Sequence, residues 1–207
     1  MMMSLRRRAK YWLYNFVPGF SGRFPYYGTQ VHFPPGAPIF RVICEQGRFE
    51  PDIIDRLVRL ARPGTTIFDV GANIGLMAIP VLRGCDSCRV VSFEPSPNSL
   101  PFLRRTADRS GFGSRWIVVG KALSRSIGEL DFTIGRPEDA LFEGFNSDSH
   151  IAAPRVIRVP VSTLDHEWQA LGRPPVSIVK IDVEGAEEQV LSGGRGLIGG
   201  ARPAVLI

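Results

Sequence analysis

The chain has 207 residues, of which 44% are hydrophobic, and this is enough for one sizeable core. Its 22 glycines and 17 prolines are spread along the length, which excludes a coiled coil, and its apolar content excludes a disordered chain. The net charge is +5, but four basic residues within the first ten supply +4 of it, so the remainder is nearly neutral. Because no basic stripe interleaved with aromatic residues follows, we expect no nucleic-acid partner.

Residues 1–20 combine that basic cluster, Arg6, Arg7, Arg8 and Lys10, with a run of aromatic and apolar side chains from Tyr11 to Val17. The segment lacks the longer apolar run and small-residue cleavage site of a signal peptide. Two interpretations stay open: a weak contact with a membrane surface, or a leader helix that covers part of the core. We favour the leader helix. The sequence has no run of 18 or more apolar residues that would predict a transmembrane helix.

The next elements predict an extension before the main domain. A β-hairpin is expected from Thr29–Phe33 and Pro38–Cys44, joined by a Pro-Pro-Gly turn. Apolar residues recur at helical spacing over 51–60, with proline suited to the first turn. We therefore divide the chain into an extension, residues 1–48, and a main domain, residues 49–207.

The central stretch is Thr66–Val70, a short apolar run typical of a buried parallel strand. It passes through Gly71 and Gly75 into the start of a helix. This strand–turn–helix pattern is expected to leave backbone amides open at the carboxyl end of the strand, where small ligands bind in open α/β sheets. Asp69 adds a carboxylate at that edge.

The spacing of the turn indicates the class of ligand. A dinucleotide loop requires Gly-x-Gly-x-x-Gly, but Asn73 occupies the second glycine position, and an acid precedes the turn. This favours a neutral or cationic ligand, for which S-adenosylmethionine is the natural candidate. Glu94 ends the next strand, 89–94, about 20 residues further on, where an acid can hold a ribose. The alternatives are an ordinary turn carboxylate and a solvated strand end, and, for the whole protein, a nicotinamide-dependent enzyme.

The three cysteines are too few for a disulfide framework. Cys85 and Cys88 lead into a strand instead of opening a helix, which argues against a redox pair, and no second pair completes a zinc site. We expect no function for them, no bound metal and a reducing, cytoplasmic compartment.

The middle of the chain predicts a helix over 96–110 and strands at 116–119 and 130–134. Residues 135–154 are polar and rich in turn formers, typical of a lid or binding loop. His150 in this loop is a candidate general base, with an exposed loop histidine as the alternative. Ser162 and Asp165 resemble a capping box at the start of a short helix.

A further strand spans 176–182, and side chains alternate across it, so Lys180 and Asp182 share a face. A lysine inside a parallel strand needs an acidic partner, which either Asp182 or Asp69 could supply. Glu184 follows at the exit of the strand. A last strand is expected at 202–207.

Five segments together carry a resemblance to a known family: 68–75, 93–95, 122–124, 162–165 and 180–185. In this order, over about residues 49–207, they resemble the FkbM family of S-adenosylmethionine-dependent methyltransferases. The resemblance implies an α/β fold with the Rossmann-like class I methyltransferase sheet, mostly parallel. It also implies S-adenosylmethionine as the cofactor and, as acceptor, a hydroxyl on a small-molecule natural product or a glycan.

The residue roles follow from the resemblance and the spacing together. We expect the cofactor to contact a set of residues along the ligand edge: Glu50, Asp69, Gly71, Asn73, Gly75, Glu94, Pro95, Ala122 and Leu123. For the base that removes the acceptor proton, we expect Asp182 first, then Glu184, then His150, with Lys180 as an electrostatic organiser. The alternative is a Lys–Asp pair that only fixes the end of the strand.

Class I methyltransferase sheets normally continue with an antiparallel pair beyond the last strand predicted here. The chain therefore looks truncated at its C-terminus, and the uncovered edge strand could favour self-association. An inactive fragment, or a cofactor-binding module without turnover, is the corresponding alternative to an active enzyme.

Overall fold

The computed structural model describes residues 4–136 and 154–207. The described strands are β1 (Arg23–Tyr26), β2 (Thr29–His32), β3 (Thr66–Val70), β4 (Arg89–Phe93), β5 (Trp116–Val119), β6 (Ala122–Leu123), β7 (Gly128–Ile134), β8 (Arg155–Ser162), β9 (Val176–Ile181) and β10 (Ala204–Leu206). The described helices are α1 (Leu5–Phe16), α2 (Pro38–Gln46), α3 (Pro51–Leu60), α4 (Ala78–Gly84), α5 (Leu100–Arg109), α6 (Leu164–Ala170), α7 (Glu187–Ser192) and α8 (Arg195–Ala201).

The main sheet has five parallel strands in the order β10-β9-β3-β4-β5. The chain begins this sheet at its centre, adds β4 and β5 on one side, and then returns to add β9 and β10 on the other. Strand order therefore reverses next to β3, which is where ligands bind in open α/β sheets. The predicted α/β, Rossmann-like fold is confirmed, and all five of its strands lie where the apolar runs predicted them.

Both faces of the central strand are buried, as a parallel sheet requires. All five residues of β3 are buried, and its apolar side chains are divided between two hydrophobic clusters. Ile67 belongs to the cluster that includes α4 and α5, whereas Phe68 belongs to the cluster that includes α7 and α8. Because both of its faces are packed, the carboxyl end of β3 has a fixed position in the sheet, and so does the turn that follows it.

The N-terminal region packs into the same core as the main sheet. Phe24, Phe33 and Phe40 pack against each other with ring centroids 4.6–5.4 Å apart. They share one hydrophobic cluster with Ile67 and Val90 of the main sheet. The division at residue 48 stays a prediction, but the apolar contacts cross it.

The predicted strand Pro38–Cys44 is wrong, because this segment is part of helix α2. Its proline stands in the first turn, where the missing N–H costs nothing. Ile39, Phe40, Ile43 and Cys44 then fall on one helical face and are buried. The hairpin lies earlier, between β1 and β2, so the predicted hairpin contributes only its first strand.

A second, three-stranded sheet follows β5, in the order β6-β8-β7. It contains β7, whose second half was predicted, and β8, which the sequence pattern did not predict. The predicted capping box is wrong: Thr163, not Ser162, caps α6 by accepting a hydrogen bond from the backbone N–H of His166 at 3.0 Å. The Asp165 carboxylate instead accepts the N–H groups of Gly196 and Leu197, in the first turn of α8, at 2.9 and 2.7 Å.

Cys85 and Cys88 form a disulfide bond between α4 and β4, which the expectation of a reducing compartment did not lead us to predict. The turn brings their Cα atoms to 5.3 Å, within the ordinary range for a disulfide. Cys44 is a free, buried thiol. The pairing removes the argument from cysteine usage that led us to expect a reducing compartment.

Among the helices that the structure describes, we find none with the length and apolar character needed to cross a bilayer.

Candidate functional site

A cavity of about 450 Å³ opens at the carboxyl ends of β3, β4 and β9. Its volume is within the range of small-molecule sites. Ten of the predicted site residues line it: Glu50, Gly71, Asn73, Glu94, Pro95, Ala122, Leu123, Lys180, Asp182 and Glu184. Asp69 and Gly75, both described by the structure, lie outside its wall, and His150 lies outside the described residues.

Four backbone N–H groups of the turn after β3 donate hydrogen bonds within the chain, so the expectation of open amides is wrong. The N–H groups of Gly71 and Ala72 both donate to the Phe93 carbonyl, at 3.1 and 3.0 Å. Asn73 N donates to Glu94 Oε2 at 2.7 Å, and Gly75 N donates to the Ala72 carbonyl at 2.8 Å. This differs from a dinucleotide loop, whose N–H groups point at the pyrophosphate.

Gly71 is required because two backbone segments meet at its Cα. A Cβ at this position would lie 1.9 Å from the carbonyl oxygen of Asp182. Its φ of +75° is also in the left-handed region that favours glycine. The glycine therefore lets the turn after β3 pack against the exit of β9, which brings Asp182 to the cavity.

Gly75 has a packing role, and the cofactor contact expected of it stays a prediction. A Cβ there would lie 2.6 Å from the Trp116 ring and 2.9 Å from Leu103. The indole N–H of Trp116 donates to Ser92 Oγ at 3.0 Å, so the ring is held in place. Gly75 thus lets the chain pass close to a fixed, buried side chain behind the cavity.

Glu94 joins the end of β4 to the glycine turn. Its side chain is buried, and its two carboxylate oxygens accept hydrogen bonds from Asn73 N and, at 2.8 Å, from Ser96 N. A carboxylate has about four lone-pair sites, so these bonds are compatible with accepting ligand hydroxyls as well. The bonds from both sides fix the carboxylate at the cavity wall.

The floor of the cavity is an ion cluster around Lys180. Its ammonium group lies 3.2 Å from Asp69 Oδ1, 3.3 Å from Asp182 Oδ2 and 3.2 Å from the Gly71 carbonyl. Both acids proposed as partners are therefore partners, and Asp69 stands directly opposite Lys180 in the β3–β9 pairing. Burial is the largest effect and lowers the pKa of Lys180, but the two carboxylates together raise it above its ordinary value. Lys180 is thus held as a cation.

Glu50 is the third carboxylate at this end of the cavity. It immediately precedes α3 with φ +38°, a left-handed conformation that is uncommon for a residue with a side chain. Burial raises the pKa of the Glu50 carboxyl, and the negative charge of Asp182 adds to the rise, while Lys180 opposes it. The strained conformation directs attention to function, because such residues cluster at binding sites.

The roof of the cavity comes from the extension and was missed by the sequence analysis. Ile39, Val42 and Gln46 of α2 line it, at spacings of three and four residues. That spacing is present in the sequence, but the β-branched residues of the same segment favour a strand. Phe49 continues the roof toward α3.

The charged lining is predominantly acidic. Four acids and two lysines line the cavity: Glu50, Glu94, Asp182 and Glu184, with Lys121 and Lys180. Both lysines are ion-paired, Lys121 with Glu167 at 2.9 Å. The cavity is therefore suited to a ligand that carries positive charge. Over residues 4–136 and 154–207, no group of three or more His, Cys, Asp or Glu side chains could hold a metal ion.

Comparison with known proteins places the chain in a family. The curated relatives include a hexuronic acid methyltransferase of Haloferax volcanii, 29% identical over 147 residues, which are 70% of this chain and 56% of that protein. A 31-O-demethyl-FK506 methyltransferase of Streptomyces tacrolimicus is 28% identical over 64% of this chain and 60% of its own length. The chain thus spans less than two thirds of the length of these relatives.

Solved structures give a weaker comparison. A precorrin-6y C5,15-methyltransferase of Geobacter metallireducens aligns over 69% of this chain and 52% of its own, with 13% identity and a TM-score of 0.38.

The profile of the FkbM methyltransferase domain matches residues 69–207, about two thirds of the chain. The chain belongs to the FkbM methyltransferase family.

Proposed function

We propose that this protein transfers a methyl group from S-adenosylmethionine to a hydroxyl oxygen of a sugar or a natural product. The observation that carries the proposal is the acidic cavity at the carboxyl ends of β3, β4 and β9, with Glu94 fixed at one end and the Lys180 ion cluster at the other. The family and the names of two relatives, a hexuronic acid and a demethyl-FK506 methyltransferase, support it.

The residues present fit the proposed cofactor. Glu94 is a buried carboxylate at the wall, suited to accept two ribose hydroxyls. Ala122 and Leu123 supply apolar surface for the adenine, and Pro95 adds to it. Glu50 and Asp182 place negative charge where a sulfonium and an amino group require it. The turn amides, which a pyrophosphate would need, are engaged within the chain, so a nicotinamide dinucleotide fits less well.

Asp182 is our first candidate for the base. Its side chain is exposed at the cavity and lies 3.3 Å from Lys180 Nζ, which holds the carboxylate in one orientation. The bound cofactor supplies the activated methyl group; the protein must hold the acceptor oxygen in line with it and accept the hydroxyl proton. Glu184, which also lines the cavity, is the second candidate, and His150 stays a proposal from the sequence.

Asp69 has an indirect role in this proposal. It is buried behind Lys180 and outside the cavity wall, so it acts on the cofactor through Lys180 and not by contact. It is a positioning residue: it keeps the ammonium group at the end of β9, which in turn orients Asp182.

Calorimetric titration with S-adenosylmethionine tests the cofactor. We expect saturable one-site binding, and a loss of at least about ten-fold in affinity for Glu94→Gln, because a hydrogen bond to a charged group contributes about 1.5–3 kcal/mol. Glu129→Gln, on the exposed end of β7, is the matched control and should bind as the wild type does. A folded wild-type protein that binds NADH in place of S-adenosylmethionine would reverse the assignment.

Methyl transfer itself is tested with hexuronic acids and hydroxylated macrolides as acceptors. For Asp182→Asn we expect a fall in kcat of about 10²-fold or more, as for other general bases, with cofactor affinity much less affected. Full binding without turnover on any acceptor, in wild type as in the variant, would favour the cofactor-binding module over the enzyme.

A further inference from the structure

Helix α1 has two apolar faces, and within the part of the chain that the structure describes only one of them packs against the body. On the inner face, Tyr11 and Tyr14 pack against Phe40 of α2, with ring centroids 6.1 and 5.9 Å apart. On the other face, the side chains of Leu5, Trp12 and Phe16 are 85%, 61% and 58% exposed. Steps of seven and four residues place these three on one stripe of the helix.

The position of this stripe is fixed by part-buried hydrogen bonds around Asn15. Asn15 is buried; its amide donates to the Tyr11 carbonyl at 2.8 Å, and its side-chain oxygen accepts Gly36 N at 2.7 Å. Ser21 Oγ donates to the Asn15 carbonyl at 2.7 Å. Because the bond from Gly36 and the packing on Phe40 hold the inner face of α1 against the body, the outer face is presented to the surroundings in a defined orientation.

The charged side chains of α1 are all basic. Arg6, Arg7, Arg8 and Lys10 lie on α1 itself, and Phe20, which is half exposed, extends the apolar surface beyond the helix. The first 44 residues contain six basic and no acidic side chains, so the remainder of the chain carries a net charge of −1. The positive charge of the protein is therefore concentrated beside its exposed aromatic residues.

We propose that α1 binds the surface of an anionic lipid bilayer. A basic helix with Trp, Phe and Leu on one face lies in the plane of such an interface, with the apolar side chains below the headgroups and the basic ones among them. A second copy of the chain would bring two like-charged surfaces together, and a nucleic acid would leave the apolar stripe uncovered. Lipid accounts for both features, and the inference does not depend on the methyltransferase activity.

The test is co-sedimentation of the full chain with vesicles of phosphatidylcholine alone or with about one quarter phosphatidylglycerol. We expect binding to the anionic vesicles only. Arg6→Gln/Arg8→Gln should lower the partition coefficient about 30-fold, since each basic residue near the surface contributes about 1 kcal/mol. Trp12→Ser/Phe16→Ser should lower it at least about ten-fold. The indole emission should shift to shorter wavelength on binding, and the shift should disappear in Trp12→Phe.

Two matched controls make the result specific. Ile127→Ser/Val156→Ser removes two equally exposed apolar side chains elsewhere, and Arg56→Gln/Arg59→Gln removes two exposed charges from α3. Both should bind vesicles as the wild type does. Vesicle binding that depends on charge but is unchanged in Trp12→Ser/Phe16→Ser would overturn the proposal in favour of a general polyanion site. So would a stable dimer that buries Trp12 in the absence of lipid.

Discussion

Lys180 shows how one buried side chain can connect the core to the site. It faces Asp69 inside the sheet and Asp182 at the cavity, so the same ammonium group neutralises a buried acid and orients an exposed one. Pairing with two acids offsets the cost of burying its charge. Removing it therefore has two separable consequences, one for stability and one for the site.

We predict that Lys180→Met lowers the free energy of unfolding by about 3–5 kcal/mol, because Asp69 is left as an uncompensated buried charge. The double variant Lys180→Met/Asp69→Asn should recover part of this loss. Urea unfolding monitored by circular dichroism measures both. Arg41→Met, which breaks an exposed pair with Glu45, should cost less than about 1 kcal/mol. A double variant no more stable than the single one would show that the ion cluster is not the cause.

Glu50 lies in a conformation and an environment that cost stability, which is typical of a residue kept for binding. Its raised pKa means that the folded protein binds the Glu50 proton more tightly than the unfolded chain does. Stability from this group is therefore greatest at low pH. It falls as the pH rises through the interval between the ordinary glutamate pKa and the raised one.

Glu50→Gln should accordingly melt at a modestly higher temperature than the wild type at neutral pH, with the difference vanishing in acid. The same change should weaken S-adenosylmethionine binding several-fold, because one negative charge near the cationic ligand is lost. Melting curves measured across pH check the change in stability, and a calorimetric titration with S-adenosylmethionine checks the change in affinity. Asp55→Asn, on the exposed face of α3, is the control: it should neither raise the melting temperature at neutral pH nor weaken S-adenosylmethionine binding. If the wild type and Glu50→Gln were equally stable at every pH, the electrostatic interpretation of Glu50 would be wrong.

At the scale of elements, the critical contact is between the turn after β3 and the exit of β9. Asp182 N donates to the Val70 carbonyl at 3.1 Å, which continues the β3–β9 pairing beyond the strands. Gly71 lies against the carbonyl of the same residue. The glycine turn after β3 and the segment that carries the proposed base are thus held together by backbone contact.

Gly71→Ala should cost more than about 4 kcal/mol, because the new methyl group meets a backbone oxygen that cannot move aside. Gly47→Ala is a sharp control: its φ of +86° is equally unfavourable for alanine, but no atom lies within 4 Å of the added Cβ. It should cost only about 1–2 kcal/mol. Chemical unfolding of the wild type and both variants measures how much each substitution lowers the free energy of unfolding. Similar losses in the two would refute the role of the close approach.

Sequence reasoning correctly predicted the elements whose hydrophobic pattern fits only one type of secondary structure. β3 and β9 are short, mostly apolar segments with glycine or proline next to one end, and α3 has a clear helical period. α2 was mistaken for a strand because its β-branched residues favour strands locally, whereas burial of one helical face decided the outcome. β8 was missed because Pro160 interrupts it, and proline normally argues against a paired strand.

The same distinction applies to the site. Residues adjacent to a strand end, such as Glu94 and Asp182, were predicted to lie at the ligand edge, and the structure brings them to one cavity. Their chemistry follows from position in the sheet. The roof residues of α2 and the displacement of Asp69 behind Lys180 depend on tertiary packing, which spacing alone does not encode.

For the whole molecule, the shared core of the extension and the main sheet predicts cooperative unfolding. Aromatic residues of β1 and α2 and apolar residues of β3 and β4 belong to one cluster, and β2 is tied to α5 by a buried hydrogen bond from His32 N to Thr106 Oγ1 at 2.9 Å. We expect one calorimetric transition, with equal calorimetric and van't Hoff enthalpies. Two resolved transitions would mean that residues 1–48 form an independent unit.

The internally bonded glycine turn has a consequence for the energetics of recognition. Because its amides are already satisfied by Phe93 and Glu94, the turn needs no ligand to adopt its conformation. The entropy of ordering it is lost during folding and not during association. Binding a ligand at this wall therefore requires no additional ordering of the turn.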